Sequence, residues 1–279
     1  MANVLITGCS SGFGRGAALE FARAGHTVVA TMRTPAKGKD LVAEAEAAGG
    51  ELRVLPLDVT DDASVSGAIE EAVSAVGPLD IVVNNAGIEL RGSIEEASAA
   101  EVQAQFDTNV FGLLRVLRAV VPAMRERRAG VIVNIGSIAG LVARPYGGLY
   151  AASKHAVEAI TEALHFELAP FGVRVAIVEP GQFATDLVTN ALVADAFTAA
   201  SPYRADSDAF DTKVLTLVPG GQLADPQAVV DAIVRVALDA QAPLRTLVGA
   251  DAETIMAVRA GGDFETFEQT MRTALDWWA

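Results

Sequence analysis

The sequence predicts one α/β domain on a doubly wound parallel sheet of about seven strands, with helices on both faces. Three observations predict it. Short runs of Val, Ile and Leu alternate along the chain with longer stretches of helical periodicity. The runs are continuously apolar, as strands covered on both faces must be. Hydrophobic residues make up 51% of the 279 positions and charged residues 20%, enough to bury a sheet from two sides.

Taken in order, the strands read NVLIT (3–7), TVVAT (27–31), LRVLPL (52–57), DIVVNN (80–85), GVIVNI (130–135), VRVAIVEP (173–180) and RTLVG (245–249). GRGAALEFARAG (14–25) is the helix between the first two. Thr60 and Asp61 stand where a helix after the third strand needs a cap. GPLD (77–80) is a turn delivering the fourth strand, and the long segment 101–128 is helical. Asp225-Pro226 opens the helix before the last strand, Asp capping and Pro fitting the first turn. Such alternation implies right-handed crossovers in one sheet. No repeat, linker or second domain interrupts residues 1–279. Residues 182–222 alone break the pattern. They are apolar at Phe183, Leu187, Val188, Leu192, Val193, Phe197, Tyr203 and Phe210, which predicts a partly helical lid over an apolar pocket.

Composition excludes several functions. A formal net charge of −14 repels nucleic acid and anionic membrane surfaces. Cys9 is the single cysteine, so no internal disulfide or cysteine zinc site exists, and a small buried filler is the expected role. His26, His155 and His165 form no ligand cluster, so no metal is expected and structural roles are assigned to all three. No basic run followed by a long apolar stretch is present, so neither signal nor membrane span is expected, and the expected compartment is the cytoplasm.

Two stretches carry chemistry. TGCSSGFG (7–14) follows the first strand and opens the first helix; its glycines let backbone approach a ligand, and the helix offers free N–H groups to a pyrophosphate. In YAASKHA (150–156), Tyr150 and Lys154 stand one helical turn apart on one face. An ammonium beside a phenol is expected to lower its pKa toward the range of a general acid and base. Tyr146 is not such a residue, because position 150 after it is Tyr rather than Lys.

The first stretch resembles the Thr-Gly-x-x-x-Gly-x-Gly fingerprint of the short-chain dehydrogenase/reductase family, whose fold is of Rossmann type. The resemblance runs on in order through LDV (57–59), NNAG (84–87), TNVFG (108–112), NIGS (134–137), the Tyr150/Lys154 pair and PGQFAT (180–185). It implies that Asn109, Ser137, Tyr150 and Lys154 are catalytic. Tyr150 would move the proton, Ser137 hold the substrate oxygen, Lys154 support Tyr150 and bind the nicotinamide ribose, and Asn109 hold a relay water. It further implies cofactor contacts from Gly8, Ser10, Ser11, Gly12, Phe13, Gly14, Asp58, Val59, Asn85, Ala86, Gly87, Pro180, Gly181, Phe183 and Thr185, besides Tyr150 and Lys154.

The resemblance implies an oxidoreductase interconverting a carbonyl and an alcohol, nearest in motif to the 17β-hydroxysteroid and retinol dehydrogenase branch and to bacterial carbonyl reductases. At the end of the second strand, where NAD enzymes of this fold carry an acidic residue, Met32 stands, with Arg33 after it. NADP is therefore the expected cofactor, with NAD possible. Family members commonly pair the helices carrying Asn109 and Tyr150, and small residues at Ala152, Ala156, Ala159 and Ala163 suit a homodimer or homotetramer. Glu89 and Arg144 are expected as solvated charges at the cleft rim. Two alternatives stay open: a non-catalytic dinucleotide sensor or scaffold, and a nucleotide-sugar epimerase or dehydratase, whose fingerprint spacing and larger C-terminal domain this chain lacks.

Overall fold

In the computed structural model, which describes residues 1–185, 187, 190–218 and 221–277, seven strands form one wholly parallel sheet. They are β1 (Asn3–Ile6), β2 (Thr27–Met32), β3 (Glu51–Pro56), β4 (Ile81–Asn84), β6 (Gly130–Ile135), β7 (Val173–Pro180) and β9 (Arg245–Val248), in the order β3-β2-β1-β4-β6-β7-β9. Each lies within one residue of the apolar run that predicts it. The order reverses between β1 and β4, and a crevice opens there at the carboxyl ends of the strands.

Alternate residues of each strand feed opposite faces. Val4, Ile6, Val28 and Ala30 pack against α1 (Gly12–Arg23), α2 (Lys39–Ala47) and α8 (Gln227–Leu238). Leu5, Val29, Val82 and Ile132 pack against α3 (Asp62–Val76), α5 (Gly112–Arg127) and α6 (Gly148–Leu168). Asp61 caps α3 by accepting from Ser64 N, and Asp225 Oδ1 accepts from Gln227 N at the start of α8.

Three features were not legible in the sequence pattern. The helix expected over 101–128 is α4 (Ala99–Phe106) joined to α5 through a π-turn at Asp107–Phe111, which contains Asn109. A two-residue strand β5 (Leu90–Arg91) pairs in parallel with β8 (Leu192–Val193) above the main sheet. The lid expected over 182–222 is helical at α7 (Arg204–Val214), but β8 carries exposed Leu192 and Val193. Phe197 stacks on Tyr146 instead of facing the cleft, and the Tyr203 hydroxyl donates to Glu95. Val188 lies outside the described residues. After β9 the chain adds α9 (Ala250–Ala260) and α10 (Phe264–Leu275); α10 packs beside α7, and α9 packs on α10.

Candidate active site

The loop between β1 and α1 is built for a close ligand. Gly8 has φ +73, and a Cβ there would stand 2.8 Å from Ala86 Cα, so glycine is required on two counts. Thr7 Oγ1 accepts from Asn85 N and Ala86 N, both at 3.0 Å, tying this loop to the one after β4. Asn85 Nδ2 donates to Thr7 O and Gly8 O, and a Cβ on Gly14 would collide with it at 2.4 Å. Ser11 is the N-cap of α1 but makes no capping bond, leaving its hydroxyl and the first-turn N–H groups facing the cleft. This cradle fits a pyrophosphate.

The cleft has a volume of about 1140 Å³. Gly8, Ser10, Ser11, Gly12 and Phe13 line one end, with Arg33, Asp58 and Val59 beyond them. Asn85, Ala86, Gly87, Pro180, Gly181, Phe183 and Thr185 line its floor and middle, next to Ser137, Tyr150 and Lys154. Two expected residues do not face it. Gly14 is buried against Asn85, so it supports the loop rather than touching a ligand. Asn109 lies behind the cleft, on a separate cavity of about 10 Å³ that it shares with Lys154, Asn84 and Thr7. That volume holds about one water.

Arg33 is exposed at the end of β2 and, among the described residues, makes no ion pair; Met32 is buried beside it. Asp58 is held below the ordinary carboxylate range: burial opposes this, but Thr60 N and Oγ1 donate at 3.0 and 2.8 Å, and Arg33 and Arg115 add positive charge. Arg115 on α5 also donates to Val59 O at 3.1 Å, clamping this turn.

Helix α6 delivers Tyr150 and Lys154, and the turn after β6 delivers Ser137. Tyr150 and Ser137 line the same cleft, and Ser137 Oγ accepts from Ala139 N at 3.1 Å. Lys154 Nζ donates to Ile135 O at 2.7 Å and stands 5.8 Å from the centre of the Tyr150 ring. Asn109 holds the chain at Ile88 by a paired contact, Oδ1 accepting from N and Nδ2 donating to O, both at 2.9 Å. Its Nδ2 reaches Ser153 Oγ at 3.1 Å, and Ser153 Oγ donates to Tyr150 O, so the π-turn is fastened to α6.

The expected sign of the Tyr150 shift is corrected here. Burial pushes the phenol above its ordinary value, Glu89 adds to this, and Ser137 and Arg144 only partly oppose it. Lys154 is itself pulled down to about 8 by burial, with Glu158 opposing. Its ammonium faces Ile135 O and the ring rather than the phenolic oxygen, so it does not offset the desolvation of Tyr150.

The rim charges are likewise not free. Glu89 is buried and accepts from Arg144 Nη2 at 2.6 Å and from Arg91 Nε at 3.2 Å. Arg144 Nη1 stands 3.3 Å from Asp211 on α7. Beyond this band the cleft is walled largely by apolar side chains, Phe210 and Val214 of α7 and Phe267, Met271 and Leu275 of α10, with Glu268 and Arg272 of α10 also lining it.

Sequence reasoning missed the α10 wall, Gln105 and Asp251. Gln105 is buried, accepting from Leu90 N and donating to Ile88 O; its place four residues before Asn109 is the signal that could have found it. Asp251, buried at the start of α9, accepts from Gln182 N at 2.8 Å and so pins the 180–185 segment; no local spacing reveals it.

The remaining expectations are structural. Cys9 is buried, donates to Ile6 O and is pushed up to about 12 by burial, as a filler should be. His26 Nδ1 accepts from Ala2 N, His155 Nδ1 contacts Ala151 O, and His165 packs edge-on to Phe166. Among the described residues there is no metal-ligand cluster, and no helix is long and apolar enough to cross a membrane.

A family model described as short chain dehydrogenase matches residues 2–195. The chain is 37% identical over 254 residues to a 3-ketodihydrosphingosine reductase of Bacteroides thetaiotaomicron, covering 91% of this chain and 90% of that protein. It is 40% identical over 252 residues to retinol dehydrogenase 8 of Homo sapiens, covering 87% and 79% respectively. A solved short-chain dehydrogenase from Streptomyces avermitilis superposes with a TM-score of 0.78 at 34% identity, covering 98% of this chain and 99% of that one.

Proposed function

The chain belongs to the short-chain dehydrogenase family, and from that premise we propose that it is an NADP-preferring reductase of apolar ketones or aldehydes. It is an oxidoreductase acting on CH–OH groups with a nicotinamide cofactor. The observation that carries the finer reading is that Ser137, Tyr150 and Lys154 line the same cleft as Pro180 and Gly181 and as the apolar side chains of α7 and α10.

The nicotinamide, when bound, supplies the hydride for reduction or takes it up in oxidation. Tyr150 gives its proton to the carbonyl oxygen as charge develops there, and the Ser137 hydroxyl donates a second hydrogen bond to that oxygen. The similarity to a 3-ketodihydrosphingosine reductase supports reduction as the working direction. Lys154 and the one-water cavity it shares with Asn109 carry the replacement proton inward. Arg33, which makes no ion pair within 4 Å among the described residues and has no acidic side chain at Met32 beside it, would grip a 2′-phosphate.

The apolar wall supports a substrate with an extended hydrocarbon part. Phe267, Met271 and Leu275 repeat every four residues along α10, a stripe about 12 Å long at 1.5 Å per residue. It begins beside Ile138, the neighbour of Ser137, with which Phe267 shares an apolar cluster. The similarity to a ketodihydrosphingosine reductase and a retinol dehydrogenase favours a lipid-like substrate. The 182–222 segment acts as the lid through α7, within the single domain 1–279. Homodimer or homotetramer formation through α5 and α6 is part of the reading, supported by exposed Ala152, Ala159 and Ala163 and by Phe166, 69% exposed. A cytoplasmic location accords with the one buried thiol. The convergence of Ser137, Tyr150 and Lys154 on one point of the cleft favours turnover over a sensor without chemistry.

The test is the absorbance of NADPH and NADH followed across ketones and aldehydes from short and hydrophilic to long and apolar. The reading expects the largest kcat/KM for long apolar substrates with NADPH. Preference for small hydrophilic carbonyls, or for NADH, would contradict it.

A further inference from the structure

Behind the cleft lies a buried charged group that the proposed chemistry does not use. Glu158 follows Lys154 by one helical turn on the buried face of α6, and both residues are 6% exposed. The turn that carries Ser137 lies directly on it. A Cβ on Gly136 would stand 2.7 Å from Glu158 Oε1, and one on Gly140 2.9 Å from its Cγ. The Glu158 carboxylate is ion-paired with Arg245 of β9, which also donates to Glu179 Oε1 at 3.1 Å and to Glu162 Oε2 at 3.1 Å. Glu179 is 2% exposed at the end of β7, immediately before Pro180. One cluster therefore touches the helix of Tyr150 and Lys154, the turn of Ser137, and the strand that leads into the 180–185 segment.

We propose that Glu158 is a positioning residue for the reaction: clamped by Arg245 beneath the Ser137 turn, it holds the Lys154 ammonium, one turn away, in place and charged. This rests on the reading of Lys154 as the partner of Tyr150. The charged and titratable groups facing Glu158 are Lys154 and Glu162 on α6, Glu179 on β7 and Arg245 on β9; the Gly136–Gly140 turn brings none. Glu158 Oε1 receives no donor among the described residues, yet Glu158 and Glu179 lie within hydrogen-bond reach of each other. Two carboxylates only accept, so the pair is joined only while one of them carries a proton. Burial first, then Glu179, pushes Glu158 up to about 8, against the pull of Arg245. Burial pulls Lys154 down to about 8, against the pull of Glu158. The Glu158 carboxylate therefore opposes the loss of the Lys154 proton that burial promotes, and the two groups titrate as a linked pair.

The experiment is a titration of Lys154 by NMR in the full-length protein, with and without NADP, using lysine carbon-13-labelled at Cε. The chain has four lysines, Lys37, Lys39, Lys154 and Lys213, so the signal is assigned with Lys154→Met. Glu158→Gln keeps the shape and removes the charge; it should lower the Lys154 titration by about half a pH unit or more and move the alkaline limb of kcat the same way. KM for the cofactor should stay within about two-fold of wild type. Glu179→Gln, a second variant should the first not fold, lets Glu158 ionise earlier and should move the Lys154 titration upward. Lys154 curves that superimpose on wild type in both variants, with only Tm lowered, would overturn the proposal. The lysine titration needs no turnover, so a wild-type protein that reduces no carbonyl would sink the reductase reading and still leave this inference to be decided.

Discussion

Arg144 joins the two sides of the cleft mouth, its Nη2 2.6 Å from Glu89 Oε1 and its Nη1 3.3 Å from Asp211 Oδ1. Glu89 belongs to the body below the cleft and Asp211 to α7, so the guanidinium fastens the proposed lid to the floor. Arg91 stands 3.8 Å from the other Asp211 oxygen. Asp211 is part exposed, and an ion pair of this kind contributes about 1 kcal/mol at most. Asp211→Asn should therefore raise KM for a bulky ketone by about two- to five-fold, leave kcat unchanged, and flatten the dependence of KM on salt. Steady-state kinetics from low to high salt checks this, and a drop in kcat with constant KM would assign Asp211 to the chemistry instead.

Arg33 tests cofactor choice. A charge-assisted hydrogen bond to phosphate contributes about 1.5–3 kcal/mol, so Arg33→Ala should raise KM for NADP by about 10–100-fold. NAD has no 2′-phosphate and should be nearly unaffected. Equal losses with both cofactors would give Arg33 a structural role.

The α10 stripe tests substrate shape. Met271 lines the cleft midway between Phe267 and Leu275. Met271→Trp should fill the groove at that depth and cut kcat/KM for long-chain ketones by about ten-fold or more, sparing short ones. A uniform loss across chain lengths would place the hydrocarbon elsewhere.

Glu158 also makes a stability prediction. Burial raises its pKa from the ordinary glutamate value of 4.5 to about 8 in the folded chain. The native state therefore binds the extra proton between those values, and the stability this group contributes below pH about 4.5 is lost as pH rises through about 8. Glu158→Gln cannot lose a proton. The difference in Tm, variant minus wild type, should accordingly grow from pH 5 to pH 8, by scanning fluorimetry at each pH. A difference that stays constant would mean Glu158 does not titrate in this range.

The sheet was legible because parallel strands buried on both faces must be apolar at every position, as TVVAT and GVIVNI are, and the cleft then follows from strand order. The motif residues were legible for a similar reason, each being a short local string whose backbone or spacing is required. What escaped was set by distant pairing. Leu90–Arg91 and Leu192–Val193 are too short for any period to show. Arg245 meets Glu158 from 87 residues away, and no string contains both. Glu89 reads as a rim charge until Arg144, 55 residues later, is seen to pair with it in the interior. The sign of the Tyr150 shift was missed because the four-residue spacing places Lys154 nearby but says nothing of the burial of both.

The central claim is that Tyr150 transfers the proton in carbonyl reduction, and Tyr150→Phe tests it most directly because it removes the hydroxyl and almost no volume. The measurement is single-turnover oxidation of bound NADPH with a long apolar ketone, alongside the Kd for NADPH. The account predicts an unchanged Kd and a reductive rate lower by about a thousand-fold or more, as for loss of a general acid held by a second donor. A variant that keeps more than about a tenth of the wild-type rate would contradict it.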